Sequence, residues 1–463
     1  MLSATTPMPG ELSYLDSSFL IAETDHSPQA IVNAYLLDPS APDKSFPRSA
    51  PALIEWIAAR IHSSTVFTDA LVRAPLDIAP PRWAHDDAFD IANHVFVDVP
   101  PAGTTVDEVL AAISGTRMDL TRPPWEARLV LGAHDRGAPC NVFVFKVHHS
   151  AADGIASADL GRSLLSAPGP LIAGHSAFRG SHRAPALPAA LATVPRQLVR
   201  HARSVRRLKI LRRELAAEVA AGRIPELQQD RTPTRFNARI GPTRTVGSIR
   251  LPLEDARALR ATEAQATVND VILATVSAAL ATYLKGRPES DTLSLAAHVP
   301  KSVRGSFELD AANQVASMLV DLHVEETDDR SRLAAIAASV STERHRREHP
   351  LLMESVECAA AIPTFLGRFA AWMERRRGHQ GDNRCSTTVS NYMREPEPLV
   401  LGSAAIVEIR CVPIIDNGTG LAHMVASTGD DVLTITFTVD LAMMPDPDHY
   451  RELLRSAYFD ITR

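Results

Sequence analysis

Cysteine is scarce, with four in 463 residues: Cys140, Cys358, Cys385 and Cys411. No two stand at CxxC spacing, which argues against a zinc knuckle or a redox pair. Buried free thiols are the expectation instead. An excess of positive charge is also missing. The formal net charge is -6 with a pI near 6.3, a balance that argues against a general nucleic-acid binder. A long apolar run is absent too. The most apolar helical stretch, Val271 to Leu284, is broken by Thr275, Ser277 and Thr282. It falls short of the ~20 residues a membrane span needs and reads as a buried core helix. The opening residues, MLSATTPMPGEL, carry neither a basic n-region nor an apolar h-region, so no secretory signal is expected. The expected location is cytoplasmic, with any membrane contact peripheral, either on the inner face or on lipid inclusions.

What is present is a globular composition, 45% hydrophobic and 22% charged. The length is too great for one ordinary core and predicts two or three units. Asn141 to Val147 (NVFVFKV) is rich in β-branched and aromatic residues and predicts a central strand, followed by a helix over Ile155 to Leu165. From about Ser166 to Pro195 the chain is rich in Pro, Gly, Ala and Ser and predicts a linker. A basic helical pattern follows over Arg196 to Ala221, and then a loop carrying Pro233 and Pro242. Beyond Val246, helices are predicted over Leu253 to Ala264, Thr267 (as N-cap) to Leu284 and Ser331 to Arg347. Strands are predicted over Leu293 to Val299, Ser386 to Ser390, Ala405 to Cys411 and Val432 to Val439. The implied architecture is α/β with mixed sheets, in two halves of similar size. The expected boundaries are 1–172, a linker over 173–245, and 246–463. No short-period repeat is found.

HHSAADG, His148 to Gly154, lies at the predicted strand-to-helix turn. A histidine near its ordinary pKa of ~6.5 is a natural base for a hydroxyl proton. His149 at the end of a rigid strand would be held in a cleft. Asp153 can orient the turn by a hydrogen bond or an ion pair. Gly154 would supply a backbone conformation closed to other residues. His148 should point away from His149, because side chains alternate along a strand. That divergence makes a shared metal awkward, and no metal is expected. A purely structural histidine pair fits the local pattern equally well.

The wider chain narrows this choice. HHxxxDG after an apolar strand resembles the CoA-dependent acyltransferase superfamily. The chain as a whole resembles the bacterial wax ester synthase/diacylglycerol acyltransferase family. LSYLDSSFL (Leu12 to Leu20), PRWAHDDAFDIANHV (Pro81 to Val95), RPPWEARLV (Arg122 to Val130), HHSAADG, VNDVILA (Val268 to Ala274) and VPKSVR (Val299 to Arg304) resemble its motifs in order. The region opening at Asn313 resembles its Gly-Asn motif. The resemblance implies two α/β halves with a channel between them. It also implies transfer of a long-chain acyl group from acyl-CoA to diacylglycerol or a fatty alcohol, with His149 as general base. Acyl-CoA would be a substrate, and no resident cofactor is implied. Asn269 and Asp270 would support a helix start. Trp125, Ser390 and Asn391 would line the channel, with Trp125 also suited to packing. Asn269 and Asn391 are oxyanion-donor candidates by residue type alone. The chain departs from the family at Pro124, at Gly305, which does not adjoin Asn313, and through SNYMREPEP (Ser390 to Pro398), which puts the acceptor in doubt. Transfer to another hydroxyl or an amine, and a non-catalytic lipid- or CoA-binding role, are the alternatives.

Two segments suit an anionic membrane surface. Arg196 to Leu215 carries eight basic residues before its first acid, Glu214, with Leu198, Val205, Leu208 and Leu211 at helical spacing. Such a pattern fits a lipid interface or a linker helix packed on the body. The second segment, PTFLGRFAAWMERRRG (Pro363 to Gly378), sets Phe365, Phe369 and Trp372 near arginines.

Overall fold

A computed structural model describes residues 10–38, 46–165, 184–226, 231–262, 266–289, 293–304, 311–377, 385–393, 398–429 and 431–463. The strands are β1 (Ala30–Leu37), β2 (Asp69–Val72), β3 (Arg82–His85), β4 (Val95–Asp98), β5 (Trp125–Asp135), β6 (Ala138–His148), β7 (Arg244–Pro252), β8 (Ala296–Ser302), β9 (Val315–Asp321), β10 (Thr387–Tyr392), β11 (Val400–Leu401), β12 (Ala404–Val412), β13 (Leu421–Thr428) and β14 (Val432–Asp440). The helices are α1 (Tyr14–Ala22), α2 (Ala50–Ala58), α3 (Val106–Ser114), α4 (Gly154–Ser163), α5 (Leu187–Ala220), α6 (Leu253–Thr262), α7 (Val268–Leu284), α8 (Asp329–Arg347), α9 (Pro350–Ala360), α10 (Thr364–Arg377) and α11 (Pro447–Thr462).

Two six-stranded mixed sheets organise the molecule, in the orders β11-β12-β1-β6-β5-β4 and β7-β14-β13-β10-β8-β9. β6 is interior to the first sheet, where NVFVFKV would place it, and it pairs antiparallel with β1 and β5. The sequence reading did not foresee a strand exchange. β11 and β12, from the C-terminal part of the chain, pair into the N-terminal sheet. A strand's own pattern does not say which sheet will accept it. Buried Arg410 fastens β12 there, bonded to Glu408 at 2.8 Å, Asp107 at 3.0 Å and Asp135 at 2.6 Å. Arg451 of α11 reaches the same Asp107 at 3.2 Å. A buried guanidinium is tolerable only with such multiple carboxylate partners.

The predicted strand Val432 to Val439 (VLTITFTV) alternates apolar and hydroxyl side chains, and neither face meets solvent. All nine residues of β14 are buried. Leu433, Ile435, Phe437 and Val439 join the core built around α7 and α11. α5 begins at Leu187, inside the stretch read as linker, and contains Pro195. A proline ring removes the hydrogen bond to the carbonyl four residues back. Here that carbonyl belongs to exposed Leu191, where water can take it up. Residues 166–183 of the predicted linker lie outside the described residues. The cysteines are all free, Cys358 and Cys411 being buried and Cys140 and Cys385 partly so. Among the described residues no helix is long and apolar enough to cross a membrane.

Candidate active site

The HHSAADG turn leaves the end of β6 and enters α4, as its strand and helix signals require. The His149 N–H donates to the Gln29 carbonyl at 2.8 Å, continuing the β1 pairing one residue past the strand. Asp153 is the N-cap of α4 and accepts from the Ala156 N–H at 3.0 Å. Its second oxygen accepts from the Gln314 N–H at 3.1 Å and from Arg304 at 2.6 Å. Asp153 is thus saturated and fully buried. Its geometry is that of a clasp between the halves.

Gly154 corrects an expectation. It is the first residue of α4, and its φ is not among the positive ones. It faces the Met424 methyl of β13, which a Cβ at this position would meet at 3.6 Å, an ordinary van der Waals contact.

The two histidines diverge. His148 is buried, with Nδ1 2.7 Å from the Ser150 hydroxyl and Nε2 3.5 Å from the Glu23 carboxylate. Burial pushes the Glu23 carboxyl up, but His148, the Gln29 N–H and Arg117 together hold it below its usual range. His149 is partly exposed. One face of its ring is covered by Phe19, stacked at 3.9 Å between centroids and 6° between planes.

The His149 Nδ1 lies 2.8 Å from Asn313 Oδ1. The orientation of that amide is determined by its other contacts. Asn313 Nδ2 stands 2.7 Å from Asp16 Oδ1 and 2.8 Å from the His149 carbonyl, both of which only accept. Nδ2 must therefore be the amide nitrogen, and Oδ1 must face the imidazole. An amide oxygen needs a donor, so Nδ1 carries the proton. Burial pushes the His149 pKa down to about 4, so the ring is neutral near pH 7. A neutral imidazole with its proton on Nδ1 has its lone pair on Nε2.

Asp16 supports this arrangement. Its carboxylate accepts from the Asn313 N–H at 3.0 Å, the Ala312 N–H at 3.1 Å and the Ser13 hydroxyl at 2.9 Å. Burial raises its pKa, and these donors pull against that rise. Ser13 also caps α1, accepting from the Asp16 N–H. LSYLDSSFL therefore acts as one device: Ser13 starts the helix, Asp16 holds Asn313, and Phe19 covers His149. Sequence reading missed Asp16, Phe19 and Arg304 as site residues and gave Asn313 no role. The signal lay in segments already singled out, but nothing in their spacing says that they meet.

Trp125 does not line a channel. It is fully buried, donates from Nε1 to the Phe67 carbonyl at 2.9 Å, and stacks on His94 at 4.8 Å. The two segments that precede the motif, carrying His94 and Trp125, are thus one packing cluster. Trp125→Ala should cost about 3–5 kcal/mol of stability. Chemical denaturation would show this as a lower midpoint.

Ser390 and Asn391 lie near the end of β10. Ser390 is in register with Met424, the residue that faces Gly154. Asn391 donates from its side-chain amide Nδ2 to Asn269 Oδ1. Asp270 closes a capping box with Thr267, accepting from the Thr267 N–H at 2.7 Å and from its hydroxyl at 2.8 Å. The Tyr392 hydroxyl reaches Asp159 of α4 at 3.3 Å, so this strand end also bridges the halves. Residues 394–397 of SNYMREPEP, and Gly305, lie outside the described residues. The described side chains close enough together to share an ion are Asp321, His323 and Glu325, at the β9 edge rather than at the motif.

Two mixed sheets, the first completed by strands from the C-terminal part of the chain, and a histidine turn held by contacts from both define the class, a condensation-domain-like acyltransferase fold. Residues 12–272 match the family model for the wax ester synthase/diacylglycerol acyltransferase catalytic domain, and residues 311–461 match that for its C-terminal domain. The chain belongs to this family. It is 28% identical over 468 residues to a Mycobacterium tuberculosis protein provisionally named a diacylglycerol O-acyltransferase, covering 98% of this chain and 96% of that one. The wax ester synthase/diacylglycerol acyltransferase of Marinobacter aquaeolei superposes with a TM-score of 0.65 at 20% identity, covering 98% of each chain. The starter condensation domain of rhizomide synthetase, solved with C8-CoA and Leu-SNAC, superposes with a TM-score of 0.56 at 15% identity, covering 99% of this chain and 95% of that one.

Proposed function

We propose that this chain moves a long-chain acyl group from acyl-CoA to the hydroxyl of diacylglycerol, a fatty alcohol or both, with His149 as general base. The observation that carries the mechanism is the 2.8 Å contact between His149 Nδ1 and Asn313 Oδ1, which leaves Nε2 to accept a proton. Nε2 takes the acceptor's hydroxyl proton as that oxygen bonds to the thioester carbonyl carbon. The carbonyl electrons move to oxygen. When they return, the C–S bond breaks, and the departing thiolate takes the proton back from Nε2. Histidine therefore ends the cycle neutral, and no resident cofactor takes part. The names of the family and of its relatives support the acceptor class. The rhizomide synthetase domain, which holds C8-CoA on the same fold, supports the donor.

Purified protein mixed with palmitoyl-CoA and either diacylglycerol or hexadecanol should release free thiol and form the matching ester. Release with only one acceptor would assign the physiological class. Release with an amine or another hydroxyl alone would move the activity elsewhere on this fold. No release with any acceptor would leave a binding role. A lipid acceptor also implies peripheral contact with an anionic membrane or a lipid inclusion.

A further inference from the structure

Helix α10 turns two aromatic rings to solvent. Phe369 is 59% and Trp372 42% exposed, stacked at 5.7 Å between centroids. The other side of the helix is committed. Gly367 sits so close to Tyr14 and Ile21 of α1 that a Cβ would fall 2.4 Å from the Tyr14 ring. Ala371, Glu374 and Arg375 line a cavity of about 340 Å³ with Tyr14, Ser18 and Ile21.

The turn that pairs with α10 through Asp77 and Arg368 carries Leu76, 84% exposed, at φ 55° and followed by Asp77 at φ 51°. L side chains rarely adopt that left-handed region, and strain of this kind clusters at functional surfaces. It is held in place by buried Asp77, whose carboxylate pairs with Arg73 and, at 2.9 Å, with Arg368 of α10. Arg376 lies 4.2 Å over the Trp372 ring. Leu76, Phe369 and Trp372 are thus exposed among Arg73, Arg368 and Arg376, two of which share the buried Asp77 carboxylate.

We infer that this corner, formed by Leu76, Phe369 and Trp372, docks on an anionic bilayer. The arginines would sit at the phosphates and the apolar side chains at the acyl boundary. Trp flanked by Arg suits that interface, where one end of the side chain meets hydrocarbon and the other meets charge. The long basic helix α5 also exposes apolar side chains, Leu191, Leu198 and Val199 among them, but its opposite side is fixed to the body. α5 buries Ala190, Gln197, Ser204 and Leu211 against the body, and Arg207 and Arg196 are paired with Glu354 and Glu11. The corner is also well placed for substrate. The cavity behind α10 is lined by α1, and Phe19 of α1 covers His149. That last point rests on the acyl-transfer reading, whereas the docking can be tested without turnover.

The full-length protein should float with vesicles of phosphatidylglycerol and phosphatidylcholine, and less with phosphatidylcholine alone. Phe369→Ser with Trp372→Ser should lower partitioning about tenfold or more, while Leu191→Ser with Leu198→Ser on α5 should leave it unchanged. Brominated-chain lipid should quench tryptophan emission in the parent protein and not in Trp372→Phe, a variant that keeps an aromatic ring in place. Flotation lost on the α5 changes but kept on the α10 changes would overturn the assignment. So would unquenched emission, or a self-associated protein that ignores vesicles and dissociates on Phe369→Ser. If docking holds and thiol release fails, it is the catalytic reading that falls.

Discussion

His149→Ala is expected to lower the rate of thiol release by about 10²–10⁴-fold, the usual contribution of a positioned base. Its unfolding midpoint should change little. Asn313 stays anchored in that variant, because its amide nitrogen bonds Asp16 and the backbone carbonyl of residue 149 rather than the ring. The space left is partly exposed, so water can satisfy Asn313 Oδ1. The parent enzyme should also show a particular pH profile. A base works only when unprotonated, and burial holds His149 at about 4. Activity should therefore be full from pH 5 to 7 as far as this group is concerned and fall as pH drops through about 4, not through the ordinary histidine range. A stable His149→Ala protein with parental kcat would sink the assignment.

Asn313 should matter nearly as much, without touching substrate. Asn313→Leu removes the acceptor that fixes the proton on Nδ1, and it takes one donor from the buried Asp16 carboxylate. The lost orientation should cost about 10- to 100-fold in kcat, with a smaller change in KM. Asn313→Asp is the sharper test. Combined with Asp16→Asn, which removes the carboxylate that would otherwise stand against the new one, it sets a carboxylate beside Nδ1 that favours the imidazolium. The acid limb of the profile should then move up from about 4 toward the ordinary histidine value. A merely structural asparagine would lower stability and leave that limb in place. An unmoved limb in a folded, active protein carrying both changes would rule out the positioning role.

Much of this was legible beforehand, for reasons that are local. The run of β-branched and aromatic residues before HHSAADG can only be comfortable as a buried strand, and β6 is one. Thr267 and Asp270 three residues apart can bond each other's backbone groups, which is why the start of α7 was readable. The divergence of His148 and His149 follows from alternation along a strand. Where local rules were stretched, they misled. Gly154 was read as a conformational necessity and is a helical residue facing Met424. Of the two roles open to Trp125, packing and channel lining, the structure shows packing, its indole sealed in a cluster with His94 and Phe67.

By itself the sequence determined the strand-turn-helix that carries His149, several further strands and helices, and the cap that starts α7. These depend on contacts within a few residues. Only the tertiary structure decided which nitrogen of His149 carries the proton, because that rests on a carboxylate at position 16 and an amide at position 313 meeting across the halves. Only it placed β12 in the first sheet and put Arg304 on Asp153. Contacts of such long separation leave no periodicity in a single chain. They form when burial brings polar groups together and each must find a partner.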